Sequence, residues 1–248
     1  MHQGYKRWDQ RKNLIMDQLG ELKPDVLALN EISIPADSGR WLWRAANSKF
    51  GADYAFVQQS KAGSLSVEEA QGILTKFSIV ESANLDYMAR ERVAQVVRLR
   101  LTDKTFVDVY VTHLHHVQGE DGLRQYQVQM LLKWIASRND LNTQIVCGDF
   151  NATPNEPSVR LMAQRFHSVQ SEPTAPTPLR LVDESIPDAT GVGSPNTGFM
   201  SRCVDYIWIA GKLRVIEAGR CFNNPAPDNP LLWPSDHIGV YVDLEIIE

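Results

Sequence analysis

Four short polar runs interrupt apolar stretches of the chain and carry most of its potential for chemistry: Asn30-Glu31, Gly148-Asp149-Phe150-Asn151, Val204-Asp205-Tyr206 and Ser235-Asp236-His237. Each stands at the end of an apolar segment that reads as a strand, and a sheet presents such side chains to a crevice on rigid supports. Asp149 and Asn151 are two apart, so in extended chain they face one side while Phe150 turns away as an anchor. A carboxylate and an amide then address one ligand. Oxygen donors with few sulfur or imidazole partners suit Mg²⁺ or Mn²⁺, held by one or two carboxylates with water and phosphate oxygens, better than zinc. Asp205 shares a strand side with Ile207 and Ile209, where an unpaired carboxylate would be costly. His237 is its expected partner. A carboxylate at one ring nitrogen fixes the tautomer and raises the ring's basicity, leaving the other nitrogen to act on water or a phosphoryl group.

The elements that must position these residues follow from hydrophobic periodicity. Trp8, Ile15, Leu19 and Leu22 fall on one helical face, and Lys23-Pro24-Asp25 ends that helix before a buried strand, Val26-Leu27-Ala28-Leu29. Val107, Val109, Val111 and His113 share one side of a β-branched strand. Leu123, Tyr126, Met130 and Trp134 then give helical spacing, and Ile145-Val146-Cys147 gives the next strand. A short helix near Ser158 to Gln164 and strands at Val204 to Ile209 and Ile238 to Ile246 complete the pattern. The proline- and glycine-rich stretch from Glu172 to Gly198 reads as a functional loop. Without a repeat or an interdomain linker, residues 1–248 read as a single domain.

Composition sets the class. The 248 residues are 43% hydrophobic and 22% charged, as in ordinary soluble proteins and unlike disordered, collagenous or membrane chains. There is no apolar run of about 18 residues and no apolar leader at the start, so stable membrane insertion is not expected. Cys147, Cys203 and Cys221 are odd in number and lack CxxC spacing, which points to a reducing, cytoplasmic location rather than a disulfide framework. The net charge of −5 argues against tight binding to long nucleic acid, and with Glu31, Asp149, Asp205 and Asp236 in one site the remainder is near neutral.

At Pro24-Asp25-Val26-Leu27-Ala28-Leu29-Asn30-Glu31, Gly72-Ile73-Leu74-Thr75-Lys76-Phe77, Val111-Thr112-His113-Leu114, Gly148-Asp149-Phe150-Asn151, Val204-Asp205-Tyr206-Ile207 and Ser235-Asp236-His237, the chain resembles the endonuclease/exonuclease/phosphatase superfamily. That superfamily includes deoxyribonuclease I-like nucleases, abasic-site endonucleases, deadenylases, inositol polyphosphate 5-phosphatases and neutral sphingomyelinases. Each motif alone is weak; their order and spacing are specific. The resemblance implies an α/β (α+β) fold, a four-layered α/β/β/α sandwich of two mainly antiparallel sheets, and Mg²⁺-dependent phosphoester hydrolysis.

By matching motif, Glu31 corresponds to the metal-binding acid, although the family usually has Gln where Asn30 stands, and Asp236 to a second acid at the metal. Asp149 corresponds to the residue that orients or deprotonates the attacking water, Asn151 to a contact with phosphate or nucleophile, and Asp205 to the orienter of His237. His113 matches a histidine that contacts the scissile phosphate, with Glu91 as its expected partner. Phe199 and Met200 fall where relatives shape the leaving-group pocket, and Trp233, two residues before Ser235, joins them as a substrate contact. Family members usually open with a strand bearing an Asn at the metal. The recorded chain begins in the helix that would follow, so that first strand is expected to be missing from it, through truncation or through a smaller sheet with weaker metal affinity. A lost segment would also weaken the cytoplasmic expectation.

The same residues have plainer uses. Glu31 alone would be a solvated strand end, Asp149 and Asn151 turn formers before Thr153-Pro154, Asp236 and His237 a loop cap, and His113 a core histidine; the ordered set favours the chemical reading. His115 and His116 are expected to be loop residues rather than ligands, Trp41, Trp43 and Trp208 packing residues, and Arg124 a structural ion pair as readily as a phosphate contact. The expected activity is that of a phosphodiesterase or nuclease acting on short nucleic acid or nucleotides. The alternatives are a hydrolase of inositol, sugar or sphingolipid phosphates, and an inactive phosphate-binding module of the same fold.

Overall fold

The alternation of side chains along each strand sorts the apolar residues into three separate cores, and three cores require four layers. The computed structural model describes residues 4–169, 178–179, 200–201, 203–230 and 232–247. In chain order the elements are α1 (Gly4–Leu22), β1 (Val26–Ser33), α2 (Ser38–Phe50), β2 (Ala55–Ser60), β3 (Glu69–Thr75), β4 (Ser78–Asp86), β5 (Val93–Arg100), β6 (Phe106–His113), α3 (Asp121–Ser137), β7 (Gln144–Asp149) and α4 (Pro157–Ala163). They continue with β8 (His167–Ser168), β9 (Pro178–Leu179), β10 (Met200–Ser201), β11 (Asp205–Ala210), β12 (Leu213–Cys221) and β13 (Gly239–Ile246). The first helix stops where Lys23 turns left-handed, with its N–H on the Leu19 carbonyl at 2.8 Å, and Pro24 prevents continuation.

One sheet has six strands in the order β4-β5-β6-β7-β11-β8. Its pairs are antiparallel except β6 with β7, which run parallel because α3 crosses between them. The other layer of strands comprises β1-β3-β2 and the pair β12-β13. Val26 and Ala28 of β1 face Val107, Val109 and Val111 of β6 and Ile145 and Cys147 of β7 between the sheets. Leu27 and Leu29 point the opposite way, into the core under α1 and α2 with Met16, Leu19, Leu42 and Leu74. On the outer face of the six-stranded sheet, Val96, Tyr110, Val146, Tyr206 and Trp208 pack against Val128, Leu131 and Ile135 of α3 and Met162 of α4. The result is the α/β/β/α sandwich that the resemblance implies.

Two local expectations are corrected, and a third lies mostly outside the described residues. The inward face of α3 is Arg124, Gln127, Val128, Leu131 and Ile135, rotated from Leu123, Tyr126, Met130 and Trp134; Tyr126 is 42% exposed. The shift arises because Arg124 is drawn inward by Glu156 at 2.7 Å and by the Val117 carbonyl at 2.8 Å, so Arg124 is a structural ion pair. Asn30 and Glu31 lie inside β1 rather than at its end, at a bulge where the pairing with β3 slips between Leu29 and Ile32. Most of the stretch from Glu172 to Gly198, and Phe199 itself, lie outside the described residues.

Cys147, Cys203 and Cys221 are free thiols. No helix among the described residues is long and apolar enough to cross a membrane. The first described element is α1, and β1 and β13 flank one cavity of about 700 Å³ without pairing to each other among the described strands.

Candidate active site

Two ladders bring the sequence-predicted residues into one row. The parallel register of β6 and β7 sets His113 opposite Asp149, and the antiparallel register of β7 and β11 sets Asp205 opposite Asp149. Three neighbouring strands thus present His113, Asp149 and Asp205 at one level of the sheet. Across the gap between sheets, the bulge in β1 aims Glu31 at this row: its backbone is left-handed, with φ 55°, and its Oε1 lies 3.9 Å from His113 Nδ1. Asp236 and His237 arrive from the loop before β13, ordered by Ser235, whose Oγ accepts the His237 N–H at 3.1 Å and donates to Asp236 at 3.2 Å. Glu31, His113, Asp149, Asp205, Asp236 and His237 all line the same cavity.

His237 Nδ1 lies 2.8 Å from Asp205 Oδ2. A carboxylate accepts, so Nδ1 carries a proton and Nε2 is the ring atom left for chemistry. Burial alone would lower the His237 pKa, yet Asp205, followed by Asp149 and Asp236, raises it well above the ordinary 6.5, and the ring is an imidazolium at neutral pH. Asp149 goes the other way from a normal carboxylate. Burial first, and then the Asp205 charge, push it up to about 7.

Asp149 and Asn151 do not share the extended geometry that their spacing predicts. The strand ends at Asp149, Asn151 turns left-handed with φ 50°, and the Asn151 N–H closes back on Asp149 Oδ1 at 2.7 Å. The Asn151 amide donates to the Leu114 carbonyl at 3.1 Å, which ties the turn after β7 to the loop after β6. The Trp233 indole donates to the Pro230 carbonyl at 2.8 Å, and neither Trp233 nor Asn151 lines the cavity.

Glu91 is not the partner of His113; it accepts from the Ser64 N–H at 2.6 Å and the Ser64 hydroxyl at 2.8 Å. His113 instead meets Lys61, with Nζ 3.2 Å from Nδ1, and Lys61 is ion-paired with Glu69. An ammonium only donates, so Nδ1 accepts and the His113 proton sits on Nε2, which lies 3.5 Å from Asp149 Oδ2. Burial, reinforced by Lys61 and Arg92, holds the His113 pKa well below 6.5, and the ring is neutral. Lys61 and Glu69 were not legible in the sequence: a lysine after a short strand and a glutamate opening the next look like solvated ends.

Two groups of acid and histidine atoms are close enough to hold an ion, Glu31 with Glu69 and His113, and Asp149 with Asp205 and His237. In each a cationic side chain is already bonded within the group, the Lys61 ammonium in one and the His237 ring in the other. The carboxylates that could serve a divalent ion are Glu31, of the first group, and Asp236, which lines the same cavity. They are oxygen ligands without sulfur, and the neighbouring Asn30 amide oxygen is a buried acceptor that no described donor reaches. That donor set fits Mg²⁺ or Mn²⁺. His115 and His116 stand outside it, paired with Glu120 at 2.7 Å and Arg92 at 3.0 Å.

Comparison with known proteins shows the family and the fold. The profile of the Endonuclease/Exonuclease/phosphatase family matches residues 3–237. Nocturnin from Homo sapiens is 25% identical over 98% of this chain and 59% of its own length, so the chain spans about six tenths of that curated relative. The solved human Nocturnin catalytic domain with bound sulfate anion superposes with a TM-score of 0.73 at 24% identity, over 98% of this chain and 89% of that one. D. rerio TDP2 complexed with single strand DNA product superposes with a TM-score of 0.75 at 16% identity, over 96% and 93%. At these identities the two superpositions are likenesses of fold.

Proposed function

Because this chain belongs to the Endonuclease/Exonuclease/phosphatase family, we propose that it is a divalent-metal-dependent phosphohydrolase that cleaves a phosphodiester in a nucleotide or short nucleic acid by in-line attack of water. The observation that carries this reading is the Asp205–His237 pair at 2.8 Å facing the buried carboxyl of Asp149. A binding module gains little from an imidazolium oriented beside a carboxyl that titrates near neutrality, whereas proton transfer needs both.

In the proposed mechanism Asp149, with its pKa near 7, accepts the proton of the attacking water, since a base of that strength is half available at neutral pH. Its Oδ1 is fixed by the Asn151 N–H. His237 presents Nε2–H to the charge that develops on the phosphoryl and leaving oxygens, and Asp205 keeps the ring charged and correctly turned. His113, neutral and protonated at Nε2 through Lys61, donates to a non-bridging oxygen without adding charge. Glu31 and Asp236 would hold the metal, whose contribution when bound is to neutralise phosphate oxygens.

The single-stranded DNA product held by the TDP2 structure supports a nucleic acid or nucleotide substrate. Hydrolysis of bis-p-nitrophenyl phosphate with Mg²⁺ or Mn²⁺, lost in Asp149→Ala and His237→Ala, tests the reading. Metal binding without turnover of any phosphate ester would replace it with the binding module.

A further inference from the structure

The two strand layers meet around the Lys61 ammonium. Lys61 extends the ladder of β2 and β3 by one step, its N–H on the Glu69 carbonyl at 3.0 Å, so that Lys61 stands opposite Glu69. The bulge in β1 brings Glu31 to the same place, and β6 brings His113 from the other sheet. Lys61 Nζ lies 3.2 Å from His113 Nδ1 and is ion-paired with Glu69 Oε1. The Lys61 side chain is 1% exposed. A lysine sequestered to that degree needs partners on the protein, and these two supply a carboxylate and a ring lone pair.

The atoms around this ammonium are also a set of metal ligands. Glu31 Oε1 and Glu69 Oε1 lie 3.9 and 3.8 Å from His113 Nδ1, and the three atoms are within 4.8 Å of one another. Ligands about 2.1 Å from a divalent ion stand roughly 3 to 3.5 Å apart, so a small closure gathers two carboxylates and an imidazole around one ion. The Nδ1 lone pair that accepts from the ammonium is the one an ion would take. Ammonium and ion therefore exclude each other. The ammonium is tethered to the chain, whereas an ion must be captured from solution, which favours the lysine. In the other group, Asp149 with Asp205, the His237 ring already bonds Asp205 at 2.8 Å.

We propose that Lys61 fills a second cation position of the site, so that the protein works with one divalent ion, held through Glu31 and Asp236, and that removing the ammonium opens a new metal site at Glu31, Glu69 and His113. This rests on the metal-dependent reading and deepens it by fixing the number of ions. A carboxylate has two oxygens, so Glu31 can serve both positions. An imidazole among carboxylates suits Mn²⁺ better than Mg²⁺, and Mn²⁺ is the probe.

The test counts Mn²⁺ bound per chain by equilibrium dialysis and metal analysis, and needs no turnover. At saturation the native protein is expected to hold one ion and Lys61→Met two. Lys61→Arg, which keeps a cation, stays at one. Adding His113→Ala to Lys61→Met returns the count to one, because the new site loses its imidazole. A native count of two, no additional ion in Lys61→Met, or an additional ion that survives His113→Ala overturns the proposal. Should Lys61→Met not fold, Lys61→Ser, whose hydroxyl suits water in the space of the ammonium, is counted in its place with the same outcomes. If the native protein binds no ion, the metal-dependent reading fails, and the role of Lys61 is decided separately: one ion gained in Lys61→Met upholds it, and none overturns it.

Discussion

Asp149 is buried between the Asp205 charge and the His237 ring, and its pKa near 7 makes it both a useful base and a burden on the fold. The ordinary value is 3.8. Below about pH 4 the carboxyl is protonated folded and unfolded, and the burial has no electrostatic penalty. Above pH 7 the unfolded chain is ionised freely while the native state must carry a poorly solvated charge, so the full penalty is present at pH 8. Asp149→Asn, which keeps the acceptor for the Asn151 N–H, is expected to stabilise the metal-free protein by on the order of 2 kcal/mol at pH 8 and not at pH 4. Urea unfolding at the two pH values measures this, and the same variant loses turnover by about 1,000-fold. For His237 the sign is reversed. Its cationic form is held by Asp205, so Asp205→Asn lowers its pKa, moves the alkaline limb of the pH–rate profile to lower pH, and reduces kcat by about 100-fold or more.

At the scale of elements, the parallel pairing of β6 and β7 fixes the distance between His113 and Asp149, and Gly148 permits it. Its φ is 145°, and a Cβ there would meet the Thr112 carbonyl oxygen at 1.9 Å. Gly148→Ala is expected to cost about 3 kcal/mol in urea midpoint analysis and to lower kcat, since the strands must part at the level of the site. The opposite end of β6 allows a contrast. Asp108 is fully buried and bound by Arg98 through Nε at 2.8 Å and Nη2 at 2.9 Å. It stands five residues from His113, about 17 Å along the strand. Asp108→Ala leaves Arg98 without its buried acceptor, at a cost of about 3 kcal/mol, while kcat per folded molecule stays unchanged.

At the scale of the molecule, the site is an assembly of both sheets: Glu31 and Asp236 come from one strand layer, and His113, Asp149 and Asp205 from the other. Glu31 and Asp236 would hold the ion, and they belong to β1 and to the loop before β13, which flank the same cavity without a shared ladder among the described strands. Binding linked to the native state then stabilises the whole sandwich. Mg²⁺ or Mn²⁺ at 100 times its dissociation constant is expected to add about 2.7 kcal/mol, a rise of several degrees in Tm that EDTA reverses. An unchanged Tm with either ion removes the metal from the reading.

The sequence by itself determined the layers and named most of the residues that meet in the proposed site. Period-two alternation in Val26–Leu29, Val107–Val111 and Ile145–Cys147 dictates which side chain enters which core, and the polar residues that follow those apolar runs are local facts of residue type. Tertiary structure decided what depends on contacts between distant segments. Lys61 reaches His113 across 52 residues, Arg92 reaches His116 across 24, and Glu31 enters the site only because β1 bulges against β3. A lysine or arginine in sequence carries no mark of the ring it will touch, and a left-handed Glu31 or Asn151 has no residue-type signal. The inward face of α3 belongs to the same class: Val128, Leu131 and Ile135 keep helical spacing as well as the expected stripe does, and the Arg124 contact that goes with that face is made with Glu156, 32 residues away.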